Sequence, residues 1–244
     1  MSLLLDTMST TSTEPSTILV ETTMPLLEID KWSTPILSNR LVIRPLLLRD
    51  LEGYHTLYSQ PETMALAYIG GSEPSYDIHA NLNRLIDSLR PWATSDLLYG
   101  VFLKNPYKKE GEFIGHSKLS FGKDWPELSY FFLKEYWGKG YGTEAIKAFM
   151  DFWWSLPRSD TRLKVRPGLV DFKINPPNPS GVAKAKELVI ATVEKGNEAS
   201  KSVLLKTGFE SVDGIENGEE LITFRCKFPL KTPQYYREIY FKKE

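Results

Sequence analysis

Hydrophobic positions along the chain follow two periods. Apolar and β-branched runs at 41–44, 97–103, 112–121, 127–133, 188–193, 209–212 and 221–228 read as strands. Pro45, Asn105-Pro106, Gly122-Lys123-Asp124 and Asn217-Gly218 punctuate them, and Asn217-Gly218 predicts that the last two runs form a hairpin. Helical spacing takes over at 48–59, where Leu51, Tyr54, His55 and Tyr58 share a face. It returns at 77–89 through Ile78, Leu82, Leu85, Ile86 and Leu89, and Pro91 ends that helix. The segment 143–155 predicts a strongly apolar helix and 197–206 a short one. Strand, two helices, several strands, helix, strand, helix and two strands make an α/β (α+β) order. It predicts one domain around a mixed, mostly antiparallel sheet flanked by helices.

Three stretches lack a clear period. Residues 1–30 are rich in Ser and Thr and predict a flexible leader, although Ile18-Leu19-Val20 would serve as a short edge strand. The compact domain is placed at 31–230, starting near Trp32. Within it, 162–186 carries Pro167, Pro176, Pro177 and Pro179 and reads as a long loop or inserted excursion, a type often functional. The tail 231–244 is polar with Tyr235, Tyr236, Tyr240 and Phe241, and a terminal helix is expected there.

A chain of 244 residues suffices for one well-buried core. Its formal net charge of -1 excludes a general nucleic-acid or membrane-surface binder. No apolar run is long enough for a transmembrane helix. No Lys or Arg precedes Lys31, while Asp6, Glu14, Glu21, Glu28 and Asp30 do, which fits neither a signal peptide nor a transit peptide. A cytoplasmic protein is the expectation. Cys226 is the single cysteine, so no internal disulfide forms; it reads as a small hydrophobe in a late strand or as a nucleophile.

Candidate chemistry centres on the turn between 127–133 and 143–155, Trp137-Gly138-Lys139-Gly140-Tyr141-Gly142-Thr143. Glycine admits left-handed backbone and close ligand approach. The first N–H groups of the following helix lack intrahelical partners and carry positive partial charge, so the place suits phosphate. Lys139 adds a cation. The G-x-G-x-G spacing fits neither the Rossmann G-x-G-x-x-G nor the Walker G-x-x-x-x-G-K-[ST] pattern. It leaves an acyl-CoA loop or a plain tight turn.

Three blocks in order carry a resemblance. They are Ser38-Asn39-Arg40-Leu41-Val42-Ile43-Arg44-Pro45 with Arg49-Asp50, the whole stretch 127–145, and Asn197-Glu198-Ala199-Ser200 with Lys206-Thr207-Gly208-Phe209. Together they resemble the ribosomal-protein-alanine acetyltransferase (RimJ/RimL-like) branch of the GNAT superfamily, over roughly 36–228. The resemblance implies a splayed central sheet and acetyl transfer from acetyl-CoA to a primary amine in a ternary complex, with no metal. The amine would belong to a small molecule or a protein N-terminus. A homodimer is compatible with it. Pyrophosphate would sit on the N–H groups of Gly138 to Thr143, next to Trp137, Lys139, Gly140, Tyr141 and Gly142, and the pantetheine arm would pair with the backbone of Phe131, Phe132 and Leu133 and with Asn197.

Such chemistry needs a base for the ammonium, a donor for the oxyanion and a proton for the leaving thiolate. Glu127 is the first candidate base, or else a solvated strand-end carboxylate. His116 is the second, or else a core histidine. His55 and His79 fall in helical patterns. Many relatives place an acidic Tyr seven residues after the Asn of the last block; Leu204 stands there instead. Ser200, in N-x-x-S spacing, resembles the serine offered by the ribosomal branch, and a capping role is its alternative. The missing Tyr also permits a catalytically weak CoA-binding or partner-binding protein of the same fold.

Overall fold

The computed structural model describes residues 17–26, 34–67, 73–89, 96–122, 124–170, 179, 182–212 and 221–227. Its elements run β1 (Ile18–Pro25), β2 (Ile36–Leu37), β3 (Leu41–Pro45), α1 (Leu51–Ser59), α2 (Pro61–Met64) and α3 (Ile78–Leu89). There follow β4 (Asp96–Leu103), β5 (Phe113–Ser120), β6 (Glu127–Phe132), α4 (Tyr141–Ser155), β7 (Arg158–Val165) and β8 (Ala183–Lys184). β9 (Leu188–Glu194), α5 (Glu198–Lys206), β10 (Glu210–Val212) and β11 (Leu221–Lys227) complete them.

An eight-stranded sheet runs in the order β10-β11-β9-β6-β5-β4-β3-β2. Every neighbouring pair in it is antiparallel except β6 with β9. The expected mixed, mostly antiparallel α/β sheet is borne out. So is its splay. β6 and β9 pair at one position, Glu127 with Ile190, where the Ile190 N–H donates to the Pro126 carbonyl at 2.8 Å. Beyond that point the two strands separate, while β9 keeps full register with β11 over seven residues.

Alternation along β6 divides the molecule. Leu128, Tyr130 and Phe132 lie opposite Leu119, Ser117 and Gly115 and face α4 and α5. There they meet the main core, in which α4 buries Ala145, Ile146, Phe149, Met150, Phe152 and Trp153. Each such large side chain contributes about 1.5–3 kcal/mol, which explains why a helix begins so soon after a Gly-rich turn. Glu127, Ser129 and Phe131 lie opposite Ser120, Lys118 and His116 on the other face. That face packs on α1 and α3 through Tyr54, Leu57, Tyr58 and Leu85.

Two expectations are revised here. The strand foreseen at Ile18-Leu19-Val20 is present but runs over 18–25 and lies in the middle of its sheet rather than at an edge, while residues 1–16 and 27–30 of the expected leader lie outside the described residues. The supposed excursion begins with strand: β7 pairs antiparallel with all eight residues of β1, and β1 pairs in parallel with β8. This separate three-stranded sheet, ordered β7-β1-β8, has its own core of Val20, Trp125, Val165, Leu169, Leu188 and Ile190. The physical reason is that β1 meets its apolar partners only far along the chain, and the prolines of 162–186 hid the alternation Arg162-Leu163-Lys164-Val165. Trp32, the loop at 70–72, the Asn217-Gly218 turn, Pro176, Pro177, Phe228 and the tail lie outside the described residues.

A buried ion pair fastens the small sheet to α4. Arg158 donates to Glu187 at 2.9 Å and to the C-terminal carbonyls of α4 and its cap, Trp153 at 2.7 Å and Leu156 at 2.6 Å. Carbonyls at the C-terminus of a helix carry negative partial charge, so a cation is favoured there. Burial nevertheless pushes the Glu187 carboxyl above its ordinary range, against the pull of Arg158 and the Thr23 hydroxyl at 3.1 Å.

Candidate active site

A cleft of about 810 Å³ occupies the place where β6 and β9 part. β6 forms one wall, the 191–194 stretch of β9 and the 197–206 stretch of α5 form the other, and the Gly-rich turn closes one end. Three consequences of sequence build it.

The first is the turn itself. Gly138 and Gly140 have φ of +69° and +79°, and Gly140 is the left-handed N-cap of α4. A side chain there would strain the backbone by about 1–3 kcal/mol. Gly142 has ordinary backbone; a Cβ there would sit 3.6 Å from Phe132 and Val203. The N–H groups that open α4 thus stand at the cleft without a side-chain cap.

The second is a clamp from the first sequence block. Glu144, in the first turn of α4, accepts from the Ser38 hydroxyl at 2.7 Å, the Arg40 N–H at 2.6 Å and the Arg40 Nε at 2.7 Å. Arg40 also donates to the Lys139 carbonyl at 3.1 Å and stacks on Tyr141 at 4.3 Å. Burial opposes ionisation of Glu144, but these donors together hold its carboxyl below the ordinary range. Ser38, Arg40 and Glu144 are not among the residues that line the cleft.

The third is the backbone of β6. The Leu133 N–H donates to the Ile114 carbonyl at 3.0 Å. By antiparallel alternation, Phe131 and Leu133 then bond toward β5, whereas the polar groups of Tyr130 and Phe132 point toward β9. The Phe132 carbonyl accepts from the Trp137 indole at 2.6 Å and from the Thr63 hydroxyl at 3.2 Å. The backbone facing the cleft is therefore that of Tyr130 and Phe132; of the expected trio, Phe132 presents its backbone polar groups to the cleft, whereas those of Phe131 and Leu133 bond toward β5.

Of the residues singled out from sequence, Glu127, Phe131, Phe132, Trp137, Gly138, Gly140, Gly142, Thr143, Asn197, Ser200 and His116 line the cleft. Leu133, Lys139 and Tyr141 do not. Leu133 is in the core with α1, the Lys139 ammonium lies over the Tyr136 ring at 5.5 Å, and Tyr141 is held by Arg40. Asn197 caps α5, its Oδ1 accepting from the Ser200 N–H at 3.0 Å. Ser200 is thus not the cap, and its hydroxyl lies 2.7 Å from the Tyr130 hydroxyl.

Glu127 is half-buried and lies on the same face of the sheet as His116 of β5. His116 is 1% exposed, stacked beside Tyr54 and Tyr58 and edge-on to Phe131, with its Nε2 3.2 Å from the Tyr58 hydroxyl. Burial, assisted by Lys118, lowers its pKa to about 3. A histidine held neutral so firmly is a poor proton acceptor at neutral pH. Cys226 is buried, which pushes its thiol up to about 11, away from nucleophile chemistry. Leu204 is fully buried in the main core. Sequence reasoning missed Tyr130 and the Ser38–Arg40–Glu144 clamp. The period-2 alternation from Glu127 carried the signal for Tyr130, on the face opposite Glu127.

Comparison with known proteins agrees with this geometry. The family model described as an acetyltransferase (GNAT) domain matches residues 40–210. No curated protein sequence matches. Among solved structures, the chain is similar to a GNAT-family acetyltransferase from Bacillus anthracis at 20% identity and a TM-score of 0.53, covering 80% of this chain and 99% of that one. It is also similar to Mycobacterium smegmatis RimJ in complex with CoA-disulfide, at 14% identity and a TM-score of 0.58, covering 86% and 95%. A third is RimL, a ribosomal L7/L12 α-N-protein acetyltransferase in complex with coenzyme A, at 13% identity and a TM-score of 0.55, covering 80% and 98%. These likenesses show the fold. Among the described residues no helix is long and apolar enough to cross a membrane. With the family model spanning both walls of the cleft and the turn between them, this chain belongs to the GNAT acetyltransferase family.

Proposed function

We propose that the protein is an N-acetyltransferase that moves the acetyl group of acetyl-CoA to a primary amine by direct attack in a ternary complex. The observation that carries this reading is the parting of β6 from β9 beside the uncapped start of α4. A pyrophosphate fits the positive end of α4 at Gly138, Gly140 and Gly142. An extended pantetheine arm fits between the strands, bonding to Tyr130 and Phe132 as an added strand does, with the Asn197 amide as a further donor. Lys139 and Tyr141 then act on the loop from behind rather than on the ligand.

The two faces of β6 divide the labour. The face of Glu127, Ser129 and Phe131 receives the amine, and Glu127 rather than His116 takes its proton, directly or through water. The amine nitrogen bonds to the acetyl carbon, the C–S bond breaks, and its electron pair stays on sulfur. Ser200, on the α5 side, is the hydroxyl donor to that sulfur.

Two measurements test the reading. Acetyl-CoA raises the melting temperature of the wild type and not of Gly140→Asp. Thiol release over a panel of peptide N-termini, polyamines, amino acids and aminoglycosides identifies the acceptor. No stabilisation by acetyl-CoA, with Gly140→Asp behaving as wild type, overturns it. Because Leu204 replaces a Tyr that many relatives use, the alternative is a CoA-binding protein without transfer; binding with no thiol release for any amine supports that alternative.

A further inference from the structure

We infer that Tyr130 is a positioning residue that aims the Ser200 hydroxyl proton and so tunes the thiol of bound coenzyme A. This rests on the acetyl-CoA reading above. The Tyr130 hydroxyl lies 2.7 Å from Ser200 Oγ and 3.2 Å from the Ser200 carbonyl oxygen, and both residues line the cleft. A phenol has one proton to donate. If Tyr130 donates to the carbonyl, the serine hydroxyl donates to the phenol oxygen and its proton is taken. If Tyr130 donates to Ser200 Oγ, the serine proton is released toward another acceptor. An anionic sulfur in the cleft selects the second arrangement, giving the chain Tyr130 O–H to Ser200 Oγ–H to sulfur. Such chains strengthen each member.

Burial suits Tyr130 to this part. It pushes the phenol up to about 12, against the opposing effect of the Ser200 bond, so Tyr130 remains a protonated donor throughout the working range. It loses no proton in the reaction. When the C–S bond breaks, the electron pair rests on sulfur and the serine hydrogen bond holds the charge. Position 204, where many relatives place a Tyr, is a buried leucine on the same helix. The phenol instead comes from β6, across the cleft, and acts through Ser200.

The test needs no acceptor amine. Coenzyme A is bound to the full-length protein, and its thiol is titrated by far-ultraviolet thiolate absorbance with the protein-only titration subtracted. In the wild type the bound thiol titrates below free coenzyme A. Tyr130→Phe and Ser200→Ala each raise it by about one pKa unit, the size of a hydrogen bond to a charged acceptor, and the double variant raises it no further. A 3-fluorotyrosine at position 130, a stronger donor of nearly the same shape, lowers it, which serves if Tyr130→Phe folds poorly. A bound thiol that titrates identically in wild type, Tyr130→Phe and the fluorotyrosine protein overturns the inference. Failure of coenzyme A to bind the wild type overturns the cofactor reading itself, a different result on the same instrument.

Discussion

β1 and β7 pair over eight consecutive residues, whereas β6 and β9 pair at one. Both junctions join strands distant in sequence, yet they are put to opposite uses. In the small sheet every position of β1 finds a partner, and a buried Arg158–Glu187 pair ties the sheet to α4. In the large sheet the backbone of Tyr130 and Phe132 faces a cleft instead of a neighbour. Pairing is completed where the structure must hold and withheld where a ligand can supply the missing strand. The two regions share α4: the clamp and the Gly-rich turn sit at its start, and Arg158 caps its end.

That division is broken most forcefully at the holding end. Arg158→Met leaves a carboxylate with 0% side-chain exposure unpaired and is expected to cost about 3–5 kcal/mol of stability, read by denaturant unfolding, while acetyl-CoA affinity of the folded protein stays within threefold. At the binding end the pattern reverses. Gly140→Asp strains a left-handed N-cap and places a carboxylate against the expected phosphates. Its predicted result is a roughly hundredfold loss of acetyl-CoA affinity by calorimetry, with a smaller loss of stability.

Acid sharpens the contrast through His116. Its folded pKa of about 3 lies below its ordinary value, so the unfolded chain takes the proton first. The stability it contributes is present above about pH 6.5 and declines by about 1.4 kcal/mol per pH unit from there toward pH 3. His116→Gln should flatten that slope, and transfer at neutral pH should fall far less than in Glu127→Gln. The smallest effect is expected for Arg40→Met. It removes one partly exposed member of the clamp, so acetyl-CoA affinity drops only a few-fold, consistent with about 1 kcal/mol. Glu144, held below its ordinary range, keeps its share of the clamp above that range and loses it as pH falls through the depressed value.

Local signals were read well and distant ones poorly. The runs that became β3 to β6, β9 and β11 carried their own periodicity, and Gly138 and Gly140 marked the turn because left-handed backbone demands them. Val165 gave no such hint and Ile18-Leu19-Val20 only a short one, because a strand at each end of a long separation looks like leader or loop until its partner is known. Leu133, Lys139 and Tyr141 belonged to the motif by position, yet their side chains point into the core or toward Arg40 and Tyr136. Tyr130 was visible only to strict alternation, and its partner Ser200 lies on another element.

Amide hydrogen exchange on the full chain, with and without coenzyme A, tests the central claim most directly. The account predicts that the ligand slows exchange at Tyr130, Phe132 and the 140–143 amides of α4 and leaves β1 and β7 unchanged. Unaltered exchange in β6 with coenzyme A bound would contradict it, because the ligand would then lie somewhere other than between the parted strands.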